Sequence, residues 1–354
     1  MVRKRTIITT LLCVLILAVL GAGRYFGHSA WQENQFLTVP PESPGRDILF
    51  RVEPGQIFTT ISANLKEKGL ITDTRRFLEL ARRNGKTASL RAGKFKLSTG
   101  WTPERILHEL STSAGIMKKA SIREGLTWWQ TAEKIEAAKL GTVDNFAKAV
   151  ADPDLLRKYG IQAPNAEGYL FPETYLLTPP KGDQSRYMVE IMLKEFFRNA
   201  AKVWPDGLPK FAEMNTIVTL ASLIEKETGN ISERRRISGV FHNRLKKRML
   251  IQADPTIIYG LGPDFDGNIR RSHIRDRTNP YNTYVIRGLP PGPICSPGLD
   301  ALLAATQPED HDYLYFVAKG NGSHHFSKTL SEHNAAVRKY QLQRDKKTYR
   351  STQE

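Results

Sequence analysis

Cysteine is nearly missing: two in 354 residues, which excludes a disulfide framework. Cys13 stands in an apolar run and Cys295 in a Pro/Gly-rich loop, so neither reads as half of a bridge. Metal-ligand spacing is missing as well. His324 and His325 are adjacent and so point apart on a strand, while His242 and His273 have no neighbour at ligand spacing. A phosphate-cradling glycine loop, a dinucleotide fingerprint and a serine nucleophile motif are all absent. No metal and no cofactor is expected. Negative charge is in short supply, since 36 Asp and Glu against 52 Lys and Arg leave a net +16. The excess sits in short clusters (234–236, 246–248, 270–271, 346–347) rather than one block, and it favours an anionic partner: nucleic acid, a lipid headgroup layer or an acidic polymer. With 40% apolar and 25% charged residues, the chain has a globular composition.

Long uncharged runs are rare too. The exception, TIITTLLCVLILAVLGAG at 6–23, holds no charge over 18 positions. That length is near the lower limit for crossing a hydrocarbon core of roughly 30 Å, and Tyr25 and Phe26 suit the far interface. Arg3, Lys4 and Arg5 lead into it, so the expectation is a cytoplasmic 1–5, a single-pass anchor at 6–26 and everything after it outside. A cleaved signal peptide is the alternative, because Gly21, Ala22 and Gly23 are small, although no Ala-x-Ala pattern is present. Outward topology counts against nucleic acid. Residues 27–46, polar and holding Pro40, Pro41 and Pro44, read as a linker.

The rest reads as α+β in two parts. Residues 47–115 give strand, Pro-Gly turn, helix, helix and returning strand, an order that resembles a LysM-like βααβ module. A larger mixed domain spans 116–345, and a basic tail follows at 346–354. Its opening βα unit (119–150) partly repeats the smaller module: SIREGLTWWQTAEKI at 121–135 parallels RVEPGQIFTTISANL at 51–65, Gly125 matching Gly55. Trp128 and Trp129 suit either a sugar-stacking platform or a core. NAEGYLFPETY at 165–175 is expected to be a partly exposed loop, with Glu167 and Glu173 either binding substrate or tied into structural hydrogen bonds.

The centre of the larger part is 215–260. Ile217, Leu220, Ala221 and Ile224 recur at helical spacing, and the helix ends on Glu225-Lys226-Glu227-Thr228 before a Gly229-Asn230 stop. Ser232 is placed to cap a second helix whose inward face is Ile237, Val240, Phe241 and Leu245. Carboxylates at the mouth of such a hairpin suit acid/base chemistry, because burial raises a carboxyl pKa. Glu225 and Glu227 lie about 200° apart around a helix, and periodicity does not choose between them.

The motifs EGYLFPETY, LIEKET, VFHNRL, LIQADPTIIYG, NPYNTY, GLPPGPI, YLYFVA and HHF…EHN occur in that order. Together they resemble the MltG/YceG family of membrane-anchored endolytic murein transglycosylases over nearly the whole chain. The resemblance implies a lyase of the inner (plasma) membrane, its catalytic part periplasmic or extracytoplasmic. It would cut nascent peptidoglycan strands at β-1,4 MurNAc–GlcNAc bonds, leave 1,6-anhydro ends and work beside cell-wall synthases. It also implies Glu227, the second Glu of the E-K-E run, as the acid/base. Supporting or substrate-binding roles fall to Glu225, Gln252, Asp254, Thr256, Glu167, Glu173, Tyr281, Asn282, Tyr284, His324 and Asn334. Cys295 and His325 depart from the usual pattern without touching Glu227. The alternative function is a non-catalytic peptidoglycan-binding scaffold for synthases.

Overall fold

The computed structural model describes residues 2–178 and 182–342, and for residues 2–18 and Ala22 the helical backbone alone. It is a mixed α/β chain dividing into two compact units, the first running through Lys118 and returning briefly at Leu177. The expected cytoplasmic residues 1–5, most of the apolar run and the tail at 346–354 lie outside the residues whose side chains are described. Among the described residues, no helix is long and apolar enough to cross a membrane.

The first unit comprises α1 (Val2–Thr38), β1 (Asp47–Val52), α2 (Phe58–Glu67), α3 (Thr74–Arg83), β2 (Gly93–Ser98) and α4 (Pro103–Thr112). β1 and β2 pair antiparallel with Phe50 opposite Phe95. Both rings are buried, and with Leu65, Phe77, Leu97 and Ile106 they form the core. Asp73 caps α3 by accepting the Arg75 and Arg76 amides at 2.8 and 3.0 Å, satisfying amides that a helix start leaves open. The stretch 27–46, expected as a linker, is instead helical as far as Thr38. Its reason is tertiary: Phe36 is buried in this core, and Arg76 donates to the Gln32 carbonyl at 2.8 Å.

The second unit opens with β3 (Lys118–Ser121), α5 (Trp128–Ala137), α6 (Val143–Val150), α7 (Pro153–Lys158) and β4 (Thr174–Leu177). The internal repeat is visible in the backbone: β1 and β3 each meet a left-handed glycine, Gly55 at φ +75° and Gly125 at φ +77°, before a helix. Residues 165–172, expected to be partly exposed, are largely buried, with Glu167, Tyr169, Leu170 and Phe171 all inside. Pro172 blocks a helix there, and the Tyr169 ring packs edge-on to Phe196 at 5.0 Å.

α8 (Ser185–Val203) precedes the helical hairpin α9 (Phe211–Glu227) and α10 (Ile231–Lys246), followed by α11 (Asp254–Leu261) and α12 (Arg271–Arg275). The chain then runs through α13 (Leu299–Thr306), β5 (Tyr315–Ala318), β6 (His324–Ser327) and α14 (Leu330–Val337). α9 buries Val218, Leu220, Ala221, Leu223 and Ile224, and α13 packs against both α9 and α10. Asn230, rather than the expected Ser232, caps α10, accepting the Ser232 amide at 3.1 Å. Thr329 and Glu332 form the expected capping box on α14.

α10 grips residues 307–314 along its length. Arg235 Nε donates to the Gln307 carbonyl at 2.7 Å, Asn243 Nδ2 to that of His311 at 2.6 Å and Arg244 Nε to that of Leu314 at 2.6 Å. Gly239 makes this fit possible, because a Cβ there would stand 2.5 Å from the Glu309 carbonyl oxygen. Ile237 on the same helix is fully buried. Ile237→Ala should therefore cost about 2–5 kcal/mol, read as a lowered urea midpoint.

Candidate active site

The two carboxylates at the end of α9 diverge. The Glu225 side chain is 5% exposed and faces the protein: Oε1 meets Arg234 Nη2 at 2.7 Å, and Oε2 accepts the Gly298 amide at 3.0 Å. Arg234, equally buried, also reaches Glu124 at 3.3 Å. Burial pushes the Glu225 carboxyl upward, while the Arg234 cation and the Gly298 amide pull it down. Arg234 Nε and Nη1 are buried with no hydrogen-bond partner among the described residues.

Glu227, half a turn on, lines a cavity of about 440 Å³. Among the described residues its carboxyl accepts no hydrogen bond. Desolvation, then the charge of Asp254, push it up to about 7, with Arg244 opposing. Such a group carries its proton near neutrality and can also surrender it. Gln252, Asp254 and Tyr284 share the cavity, over walls from Phe241, Tyr315 and Phe316. Asp254 Oδ1 accepts the Tyr284 hydroxyl at 2.6 Å. Gln252 is held at φ +55°, a left-handed conformation uncommon for a residue with a side chain and often found at functional positions. A larger hollow of about 670 Å³ lies along α1 beside Arg24, Tyr25 and Trp31, with no carboxylate in it.

His324 is the remaining sequence candidate in the cavity. Thr256 is fully buried outside the lining, its hydroxyl donating to the Ala253 carbonyl at 2.6 Å. Asn282 is fully buried and clasps the end of α12, its amide donating to the carbonyls of His273, Ile274 and Asp276 at 3.1, 3.1 and 2.7 Å. Tyr281 packs on Tyr259 at 4.7 Å, and Tyr259 in turn on Trp129 at 5.1 Å. Glu167 caps α5, accepting the Trp128 amide at 3.0 Å, and desolvation pushes it up to about 8. Glu173 is exposed and accepts the Thr174 amide at 2.7 Å. Asn334 is exposed on α14, whose Leu330, His333 and Val337 line the cavity instead.

Among the charged residues that the sequence reading left unassigned are Arg244 and Glu233. Arg244 borders the cavity, its Nη1 donating to the Ile251 carbonyl at 2.7 Å and its guanidinium 5.2 Å from the Tyr315 ring centre. Glu233 is buried against His324 at 2.8 Å. A signal was available, since 233, 237, 240 and 244 fall on one helical stripe and its two ends are charged.

Comparison with known proteins gives a consistent set of relatives. The model of the YceG-like family matches residues 50–339. An endolytic murein transglycosylase of Bacillus subtilis is 31% identical over 305 residues, 82% of this chain and 83% of its own length. One of Streptococcus pneumoniae is 29% identical over 354 aligned positions, covering 92% of this chain and 63% of its own. The crystal structure of a yceG-like protein from Listeria monocytogenes superposes with a TM-score of 0.55 at 31% identity, covering 82% of this chain and 99% of that one.

The raised Glu227 carboxyl has a linkage consequence. Its ordinary value is 4.5 and its folded value about 7, so the folded state holds the proton more tightly between them. The stability it contributes is fully present below about pH 4.5 and is lost as pH rises through about 7. Glu227→Gln should therefore unfold at higher urea than the parent at pH 8, the gap closing toward pH 4. Arg234→Met strands Glu225 in the interior, and a loss of about 3–5 kcal/mol is expected in urea unfolding at pH 8.

Proposed function

The chain belongs to the YceG-like family, and we propose that it is an endolytic murein transglycosylase, cutting peptidoglycan glycan strands internally. The observation that supports this most is Glu227, poorly solvated in a polar-rimmed cavity and poised near neutrality. In the proposed reaction, Glu227 gives its proton to the glycosidic oxygen as the C1–O bond breaks. The muramoyl 6-hydroxyl oxygen then bonds to C1, and its proton goes to the Glu227 carboxylate. One group serves both halves, no water is consumed, and the product is a 1,6-anhydro end. Asp254 keeps the Glu227 proton on by its charge, and Tyr284 holds Asp254 in place. Gln252 and the walls at Phe241 and Tyr315 are assigned to seating the saccharide.

Asp254 also supports a second reading. Two carboxyl groups in one cavity are what a hydrolysing glycosidase uses, and such an enzyme would leave reducing ends. Product mass separates the two, because an anhydro end is one water lighter.

Around this centre, the uncharged run at 6–23 and its basic lead-in support a single-pass membrane anchor that puts the cavity on the extracytoplasmic side. The strand–helix–helix–strand order of the first unit supports a LysM-like module, and nascent glycan as substrate puts cell-wall synthases among the partners. A purely scaffolding role is not favoured.

Uncrosslinked glycan incubated with the protein should yield anhydro ends by mass spectrometry. Glu227→Gln should lower that rate at least about a thousandfold with the fold intact. The parent rate should fall above about pH 7, where the proton donor is lost. Full activity in the variant would remove the mechanism.

A further inference from the structure

The reaction above leaves one buried pair unused. Glu233, in the first turn of α10, is 9% exposed, and His324, on β6, is 5% exposed. Both oxygens of the carboxylate are committed to that histidine: Oε1 accepts its backbone amide at 3.1 Å, and Oε2 meets ring Nδ1 at 2.8 Å. A carboxylate only accepts, and the start of a helix favours its negative charge. The proton between them therefore belongs to Nδ1, and in the neutral ring Nε2 then keeps an unshared pair. Among the described residues Nε2 has no protein partner, yet His324 lines the Glu227 cavity. Its ring is steadied edge-on by Phe316 at 5.5 Å.

The chemistry of the other cavity groups sharpens the point. Arg244 and Lys226 only donate, Asp254 Oδ1 already accepts from Tyr284, and Glu227 is reserved for the travelling proton, so beside the Gln252 amide oxygen the His324 ring is an acceptor open to the cavity. Nε2 is not sealed away like the unpartnered atoms of the interior but opens on the cavity, where a bound donor can reach it. We propose that His324 Nε2 accepts a hydrogen bond from a hydroxyl or acetamido N–H of the bound glycan, and that Glu233 is the positioning residue that sets this polarity by fixing the ring tautomer. The assignment rests on the glycan-cleaving reading.

Glu233→Gln tests it with little change of shape. The Gln carbonyl can accept the same backbone amide, while its NH2 donates to Nδ1 and drives the ring proton to Nε2. The cavity would then offer a donor where it had an acceptor. His324→Asn is the companion variant, its amide replacing Nδ1 toward Glu233 and nothing replacing Nε2. In the full chain labelled with ¹⁵N-histidine, NMR should show Nδ1–H in the parent and Nε2–H in Glu233→Gln, with melting unchanged. KM for uncrosslinked glycan should rise roughly tenfold in both variants, kcat moving far less. Titration of the same glycan into Glu227→Gln, with and without Glu233→Gln, should show the same weakening without turnover. Should the Gln variant fail to fold, His324→Asn carries the test. An Nε2–H parent, or a swapped tautomer with unchanged KM and affinity, overturns the inference and leaves the reaction standing. No anhydro product from the parent would overturn the reaction itself.

Discussion

The site depends on a guanidinium held away from water. Arg234 lies between Glu225 at the end of α9 and Glu124 in the turn before α5, and Glu225 also takes the amide of Gly298 ahead of α13. The cation and its carboxylate partner thus tie two stretches far apart in the chain, the turn before α5 and the residue ahead of α13, to the hinge of the helical hairpin. Pairs of this kind add little net stability, because desolvation offsets the attraction. Their effect is geometric. With Glu225 turned inward, the helical twist carries Glu227 toward the cavity.

From there, loss of water does the rest. The same desolvation that makes a lone carboxyl unfavourable inside a protein is what brings it near neutrality. Asp254 and Arg244, of opposite sign, act on it from the cavity rim. Three glutamates in this unit are raised by burial, Glu167, Glu225 and Glu227, so a raised carboxyl alone does not mark a site. What distinguishes Glu227 is that its neighbours leave its oxygens unclaimed. Glu167 spends its oxygens on backbone amides and Glu225 on a cation and an amide.

Much of this hairpin is legible in the residue order. Ile217, Leu220, Ala221 and Ile224 keep a helical period, Gly229-Asn230 marks the break, and Thr329 with Glu332 announces the last cap. These are local signals with a local cause. The choice between Glu225 and Glu227 is not local, because it depends on where Arg234 points after the chain has reversed. The resemblance to known motifs carried that choice where periodicity could not. Residues 27–38 look like a linker by composition, and only contacts with α3 and the core of the first unit make them helical. The buried course of 165–172 was equally hidden, since proline and mixed aromatics leave no period to read. Asn334 belongs to one of the motifs that carry the resemblance yet faces solvent, whereas Arg244, an ordinary member of a helical run, borders the cavity.

α10 owes its seat to a vacancy in its own surface. At Gly239 the helix lies so near the Glu309 carbonyl that one methyl group would wedge them apart. Arg244 is little more than a turn further along, and its grip on Leu314 and Ile251 depends on that depth. The smallest residue in the helix therefore acts as a depth gauge for the largest cation at the cavity rim. Widening there would be felt as a change of voltage at the Glu227 carboxyl before it was felt as a change of shape.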